Sequence, residues 1–139
     1  MTQSVLEKIE VGMEIPILKK SPITRTTLAL FCGASGDHNP MHVDSDFAKK
    51  AGMPDVFAHG MLSMAYLAQA LTNWVPQAAI RSYGTRFGAI THLNDEISCS
   101  GKVVDVFEEA GERRARLEIT AVNQAGETKL QGTAVVCVD

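Results

Sequence analysis

The chain has little that would tie it together covalently or hold it in a membrane. Its three cysteines, Cys32, Cys99 and Cys137, are far apart and odd in number. They form no CxxC pair and no metal-ligand spacing, which argues against a disulfide framework or a metal module. Buried free thiols in a reducing cytoplasm are the expectation. No apolar run is long enough to span a bilayer, which takes about 20 residues. The richest stretch, 61–71, is interrupted by Ser63 and Gln69. Met1-Thr2-Gln3-Ser4 lacks the charged and apolar regions of a signal peptide. A net charge of −3 argues against nucleic-acid binding. There is no internal repeat and no low-complexity segment.

What is present fits one domain spanning 1–139, with 45% hydrophobic residues to fill a core. Its densest chemistry lies in Phe31-Cys32-Gly33-Ala34-Ser35-Gly36-Asp37-His38-Asn39-Pro40-Met41-His42. Asn39-Pro40 signals a loop, because proline restricts its own φ and the residue before it. Gly36 can take positive φ freely. Asp37 and His42 therefore flank a fixed bend and can converge on one point. An acid and an imidazole so placed can hold and activate a water. Asp followed by Asn-Pro is also ordinary turn chemistry, with Asp37 bonding its own backbone.

Downstream, His59-Gly60-Met61 precedes a long apolar run that reads as a helix. A helix N-terminus presents unpaired N–H groups and a partial positive charge. A glycine there lets a substrate approach the backbone, which is one way to build an oxyanion site.

In order, Val11–Leu18 reads as a first strand, irregular at Pro16. Thr24 or Thr26 caps a helix through Leu28, Leu30 and Phe31 that ends at Gly33 or Gly36. Asp44–Ala51 reads as a short helix with Asp44 or Ser45 as N-cap and Gly52 as its stop. Lys49 and Lys50 at its end suit the helix dipole or contact a carrier phosphate. The helix from Gly60 to Val75 is apolar on almost every face and so should be buried nearly all round. Strands are expected at 80–87, 96–107, 113–122 and 127–138, with loops at 108–112 and 123–126. In the first of these, alternation puts Ile80, Ser82, Gly84 and Arg86 on one face. The sum is an α+β domain.

The runs Ser-Gly-Asp-His-Asn-Pro-Met-His (35–42) and Ala-His-Gly-Met (58–61) resemble the MaoC-like hydratases, the (R)-specific enoyl-thioester hydratases and dehydratases. The resemblance extends from Gly12 to Val138. It implies a hot-dog fold, an antiparallel sheet wrapped around one long central helix. It implies Asp37 and His42 as the catalytic pair and the Gly60 N–H as donor to the thioester oxygen. Asn39, His59 and Met61 are the expected substrate-binding residues, with Asn39 an orienter within the bend and His59 a helix cap or support. His42 is favoured as the base because an unperturbed imidazole titrates near neutrality. The expected substrate is an acyl-CoA or acyl carrier protein thioester, with no cofactor and no metal, and the expected assembly is a homodimer or a multiple of dimers. Two alternatives stand beside it: a hot-dog acyl thioesterase, or a non-catalytic acyl-binding subunit of a dehydratase complex. The chain departs from the family pattern at Ile90, where proline is usual, and at Asn94, where glycine is usual. A serine that some members carry along the central helix is missing, with Ala65 and Ala68 on the candidate turns. His92 in the departing loop has no expected role.

Overall fold

The strands of this chain form one antiparallel sheet, and its long helix lies across it. The computed structural model describes residues 8–138. In chain order the elements are β1 (Leu18–Lys19), α1 (Arg25–Ser35), α2 (Ser45–Lys50), α3 (Gly60–Thr72), β2 (Ile80–Phe87), β3 (Ser98–Glu109), β4 (Glu112–Val122) and β5 (Thr128–Cys137). The spatial order is β1-β3-β4-β5-β2, and every neighbouring pair is antiparallel. Helix α3 touches all five strands. This is the hot-dog arrangement.

The alternation in β4 explains why the sheet closes on α3. Ala115, Leu117, Ile119 and Ala121 are at most 1% exposed. They meet Leu67, Ala70, Leu71 and Trp74 in one buried cluster. Burying each leucine contributes about 1.5–3 kcal/mol. A second cluster, Ile23, Leu28, Ala48, Val56, Ala58 and Leu62, joins α1 and α2 to the start of α3. That smaller core fixes the segment between α1 and α2, where the acid–imidazole bend lies.

Several elements differ from the sequence reading. The first strand is reduced to Leu18–Lys19, with a single bridge at Glu14 and backbone bonds from Gly12 and Ile15 to β3. Pro16 has no N–H to extend the ladder. Helix α3 ends at Thr72, before the expected Val75. Trp74 and Val75 both bond back to the Leu71 carbonyl in a tightened final turn. Its burial is also one-sided within this chain: Met61 is 54% exposed, and Ala65 and Gln69 are exposed as well.

In β2 a bulge between Ile80 and Ser82 shifts the alternation, so Ile80 and Tyr83 both pack on the core. Strand β3 runs two residues further than expected. Its hairpin is only Ala110-Gly111, with φ of 52° and 76°, the primed turn that matches strand twist. Cys32 and Cys99 are buried, but Cys137 is half-buried. No helix among the described residues is long and apolar enough to cross a membrane.

Candidate active site

The bend starts where α1 stops. Thr24 caps α1, accepting from the Thr27 N–H, and Gly36 closes it with φ of 77° and its N–H on the Cys32 carbonyl. Only a residue at ease in the left-handed region turns the chain this sharply. Asp37 follows immediately. Its N–H donates to Ser35 Oγ at 3.1 Å, and its Oδ1 accepts from the Asn39 N–H at 3.2 Å. Asn39 Oδ1 accepts from the Met41 N–H at 3.1 Å, capping a short 3-10 turn over Pro40–His42. Asp37 and Asn39 thus do ordinary turn chemistry, and that turn aims His42 inward.

His42 is 8% exposed. Its Nδ1 lies 2.7 Å from the Phe57 carbonyl oxygen. A carbonyl only accepts, so Nδ1 carries the hydrogen, which in the neutral tautomer leaves Nε2 bare. The His59 ring stacks on it, with centroids 3.9 Å apart and planes 29° apart. His59 is itself 1% exposed. Its Nε2–H donates to the Asp37 carbonyl at 3.1 Å, and Phe31 meets it edge-on at 4.9 Å.

One ligand atom from each of Asp37, His42 and His59 lies within 4.8 Å of the others. That distance suits a shared water. It suits a cation less well, because two stacked rings do not aim their in-plane lone pairs at one point.

Burial pushes the His59 pKa below its ordinary 6.5. The bond to the Asp37 carbonyl pulls the other way, and the neighbouring His42 adds to the lowering. The fold therefore prefers neutral His59. Stability from this group is present above pH 6.5 and is lost as pH falls through the folded-state value. His59→Phe keeps a ring in the stack and removes the titration. Melting temperatures measured from pH 8 down to about 5, a range that brackets the ordinary imidazole pKa, should fall less steeply in the variant. Parallel profiles would show that His59 does not carry this dependence.

Gly60 is the first residue of α3. His59 before it has φ −57° and ψ 133°, outside the helix, and its side chain makes no capping bond. The first-turn N–H groups have no carbonyl four residues back to receive them. A Cβ at Gly60 would lie 2.8 Å from the Phe87 ring carbons Cδ1 and Cε1, so any other residue fits here only if the exposed Phe87 ring moves.

His42 and Gly60 open onto one cavity of about 290 Å³, walled also by Ser63, Phe87, Ile90 and Thr91. Asp37, Asn39, His59 and Met61 are not among its lining residues. Asp37 is exposed, Asn39 shapes the bend, and His59 backs the His42 ring between Phe31 and Asp37. A larger hollow of about 530 Å³ lies between Arg25, Asp55 and His92. It contains neither His42 nor Gly60.

The sequence reading left out three buried polar residues at the cavity. Ser63 and Thr91 are 1% and 4% exposed, with their hydroxyl oxygens 3.3 Å apart. Lys129 is 1% exposed, and its ammonium bonds the Ile90 carbonyl at 2.7 Å and pairs with Asp95 and Glu127. Ser63 carried a signal, since it sits three residues after Gly60 on the same helix face. Thr91 and Lys129 carried none, because a loop and a distant strand bring them there. In that loop Asn94 takes φ of 70°, so the turn keeps the backbone conformation that glycine would give.

The model of the MaoC like domain family matches residues 8–125. The chain is 28% identical to the (R)-specific enoyl-CoA hydratase of Rhodospirillum rubrum over 134 residues, 95% of this chain and 90% of that protein. It is 31% identical to the 3-hydroxybutyryl-CoA dehydratase of Methylorubrum extorquens, covering 95% of this chain and 82% of that one. The solved structure of R-hydratase PhaJ1 from Pseudomonas aeruginosa, unliganded, superposes with a TM-score of 0.79 at 30% identity, over 94% of this chain and 83% of that chain. Some similar proteins are far longer: the 84 residues aligned with the yeast fatty acid synthase subunit beta make up 4% of it.

Proposed function

Because the chain belongs to the MaoC-like domain family, we propose that it hydrates trans-2-enoyl thioesters, or dehydrates (R)-3-hydroxyacyl thioesters in reverse. The observation that carries this reading is the single cavity shared by the Gly60 backbone and a His42 whose Nδ1–H is held on the Phe57 carbonyl. That bond makes Nε2 the proton-exchanging atom of His42, and Asp37 lies within 4.8 Å of the pair of rings.

One water is held between Asp37 and His42. Its oxygen bonds to C3 as one of the two groups takes its proton. The C2–C3 π electrons move towards the thioester carbonyl, whose oxygen gains enolate charge and meets the Gly60 N–H. The other group delivers a proton to C2, and the proton left on the first returns to the second to reset the site. The bare Nε2 favours His42 as the group that takes the water proton. His59 supports the pair as a positioning residue, tied to the Asp37 carbonyl and stacked on His42.

The whole chain is proposed to be one such domain, acting on a CoA or acyl carrier protein thioester. Its three cysteines form no disulfide, which favours a reducing cytoplasm. Incubation with crotonyl-CoA tests the activity, following enoyl absorbance beside a free-thiol reagent. Enoyl loss without thiol release is expected. Thiol release would mean a thioesterase, and neither signal would mean an acyl-binding subunit.

A homodimer is proposed on two grounds. Among the described residues strand β2 is paired only with β5, leaving an edge of eight residues, and open edges invite pairing. Met61, Phe87 and Ile90, at or beside the cavity, are 54%, 57% and 44% exposed. Light scattering should give about twice the 15.0 kDa chain mass, or a multiple of that. A monomer at micromolar concentration would count against this assembly.

A further inference from the structure

We propose that the acyl cavity selects a short chain carrying a neutral oxygen, a hydroxyl or a carbonyl, which Ser63 and Thr91 receive. The inference rests on the enoyl-thioester reading above and names the substrate class within it.

The first ground is size. At about 290 Å³ the cavity lies at the low end for small-molecule sites, which run from about 300 to 1,000 Å³. A short acyl chain is enough to fill it within this chain's walls.

The second ground is the state of the two hydroxyls. Ser63 lies three residues beyond Gly60, about 4.5 Å along the helix axis. A chain whose thioester oxygen is on the Gly60 N–H would share its cavity with Ser63 and Thr91. Both side chains are more than nine-tenths buried. Among the described residues their side chains bond only to each other, at 3.3 Å, beyond the usual 2.5–3.0 Å or so for O–H···O. Each hydroxyl has one donor and two acceptor positions, so the pair holds hydrogen-bonding capacity that it does not use on itself. Buried polar groups of this kind are ordinarily satisfied. A substrate oxygen seated between them would do so from inside the cavity.

The third ground separates a neutral oxygen from a carboxylate. Lys129 is the one cation on the cavity wall among the described residues, but its ammonium is committed to Asp95, Glu127 and the Ile90 carbonyl. Two carboxylates face one ammonium, so the wall offers no surplus positive charge. A substrate carboxylate would enter against that balance, and a hydroxyl or carbonyl would not.

The test compares trans-2-hexenoyl-CoA with trans-5-hydroxy-2-pentenoyl-CoA, in which a hydroxyl replaces the terminal methyl at equal chain length. The wild-type enzyme should favour the hydroxylated substrate at least tenfold in kcat/KM, since a site built to bond an oxygen discriminates strongly against its absence. Ser63→Ala and Thr91→Val should each bring that ratio close to one. A wild-type ratio of one or below would overturn the proposal, as would a ratio unchanged in both variants. Ser63→Ala slowing both substrates equally would also overturn it, and would put that hydroxyl on the thioester oxygen instead. If crotonyl-CoA is turned over but the ratio fails, only this inference falls. If no enoyl thioester is turned over, the hydratase reading falls with it.

Discussion

Replacing Asp37 with asparagine is expected to lower hydration of crotonyl-CoA by about 10²–10⁴-fold, the range for a general acid–base group. His42→Ala should lose a similar factor. The two variants should differ in stability. In Asp37→Asn the new side chain keeps an oxygen for the Asn39 N–H, the bond now made by the exposed Asp37, so the melting temperature should move little. His42 is buried, bonded to the Phe57 carbonyl and stacked on His59. Both residues sit in a bend, yet only one is packed as core. Alanine in place of His42 leaves the Phe57 carbonyl without this donor and opens a gap against His59, so His42→Ala should melt lower. Rates must therefore be compared well below both melting points. Near-full activity in either folded variant would remove that residue from the mechanism.

The second large effect is expected at Gly60. Gly60→Pro removes the N–H that is assigned to the thioester oxygen. Proline is best tolerated in the first helical turn, and His59 already has the extended ψ of 133° that proline demands of the residue before it. The proline variant should fold. Gly60→Ala keeps the N–H, but the structure shows that it is not a silent control. Any Cβ at this position meets the Phe87 ring at 2.8 Å. Phe87 is 57% exposed, so its ring can swing aside at some cost to the cavity wall. Alanine and proline share that cost, and the N–H is the difference between them. Turnover by the proline variant should lie about 10²–10³-fold below the alanine variant, the scale for one oxyanion donor. Equal rates in two folded variants would mean that the N–H is not the donor and that glycine is needed only for its closeness to Phe87.

Much of this was legible in the sequence because local chemistry and tertiary structure agree. Thr24 and Asp44 cap the helices they precede. Asn123 Oδ1 gathers the Ala125 and Glu127 N–H groups into the turn expected at 123–126. The alternation in β4 maps directly onto burial. The readings that failed depend on information outside a local window. The bulge after Ile80 exchanges the faces of β2, and nothing in Ile80-Arg81-Ser82 announces it. Ala110 adopts a positive φ that its side chain does not favour, so the hairpin is shorter than its composition indicates. The exposed side of α3 still carries Met61 and Ala65, and periodicity cannot tell a face covered by this chain from one left open.

The site divides in the same way. The bend and the helix start were readable because Asp37, Asn39, Pro40, His42 and Gly60 are spaced by their own backbone chemistry. The stack of His59 on His42 joins residues from two segments and was not readable. Nor was the Ser63–Thr91 pair, where a helix meets the loop that departs from the family pattern. Lys129 follows Thr128 in a strand whose alternation breaks at that point, since Lys129 and Leu130 are both buried. Its charge gives no sign that Asp95 waits for it in the loop before β3.

The central claim is that one water, held by Asp37 and His42, adds across a single face of an enoyl thioester. Hydration of crotonyl-CoA in heavy water, followed by chiral analysis of the product and location of its C2 deuterium, tests this most directly. The account predicts (R)-3-hydroxybutyryl-CoA with deuterium at C2 on the same face as the new hydroxyl. An (S) product, or deuterium on the opposite face, would contradict it.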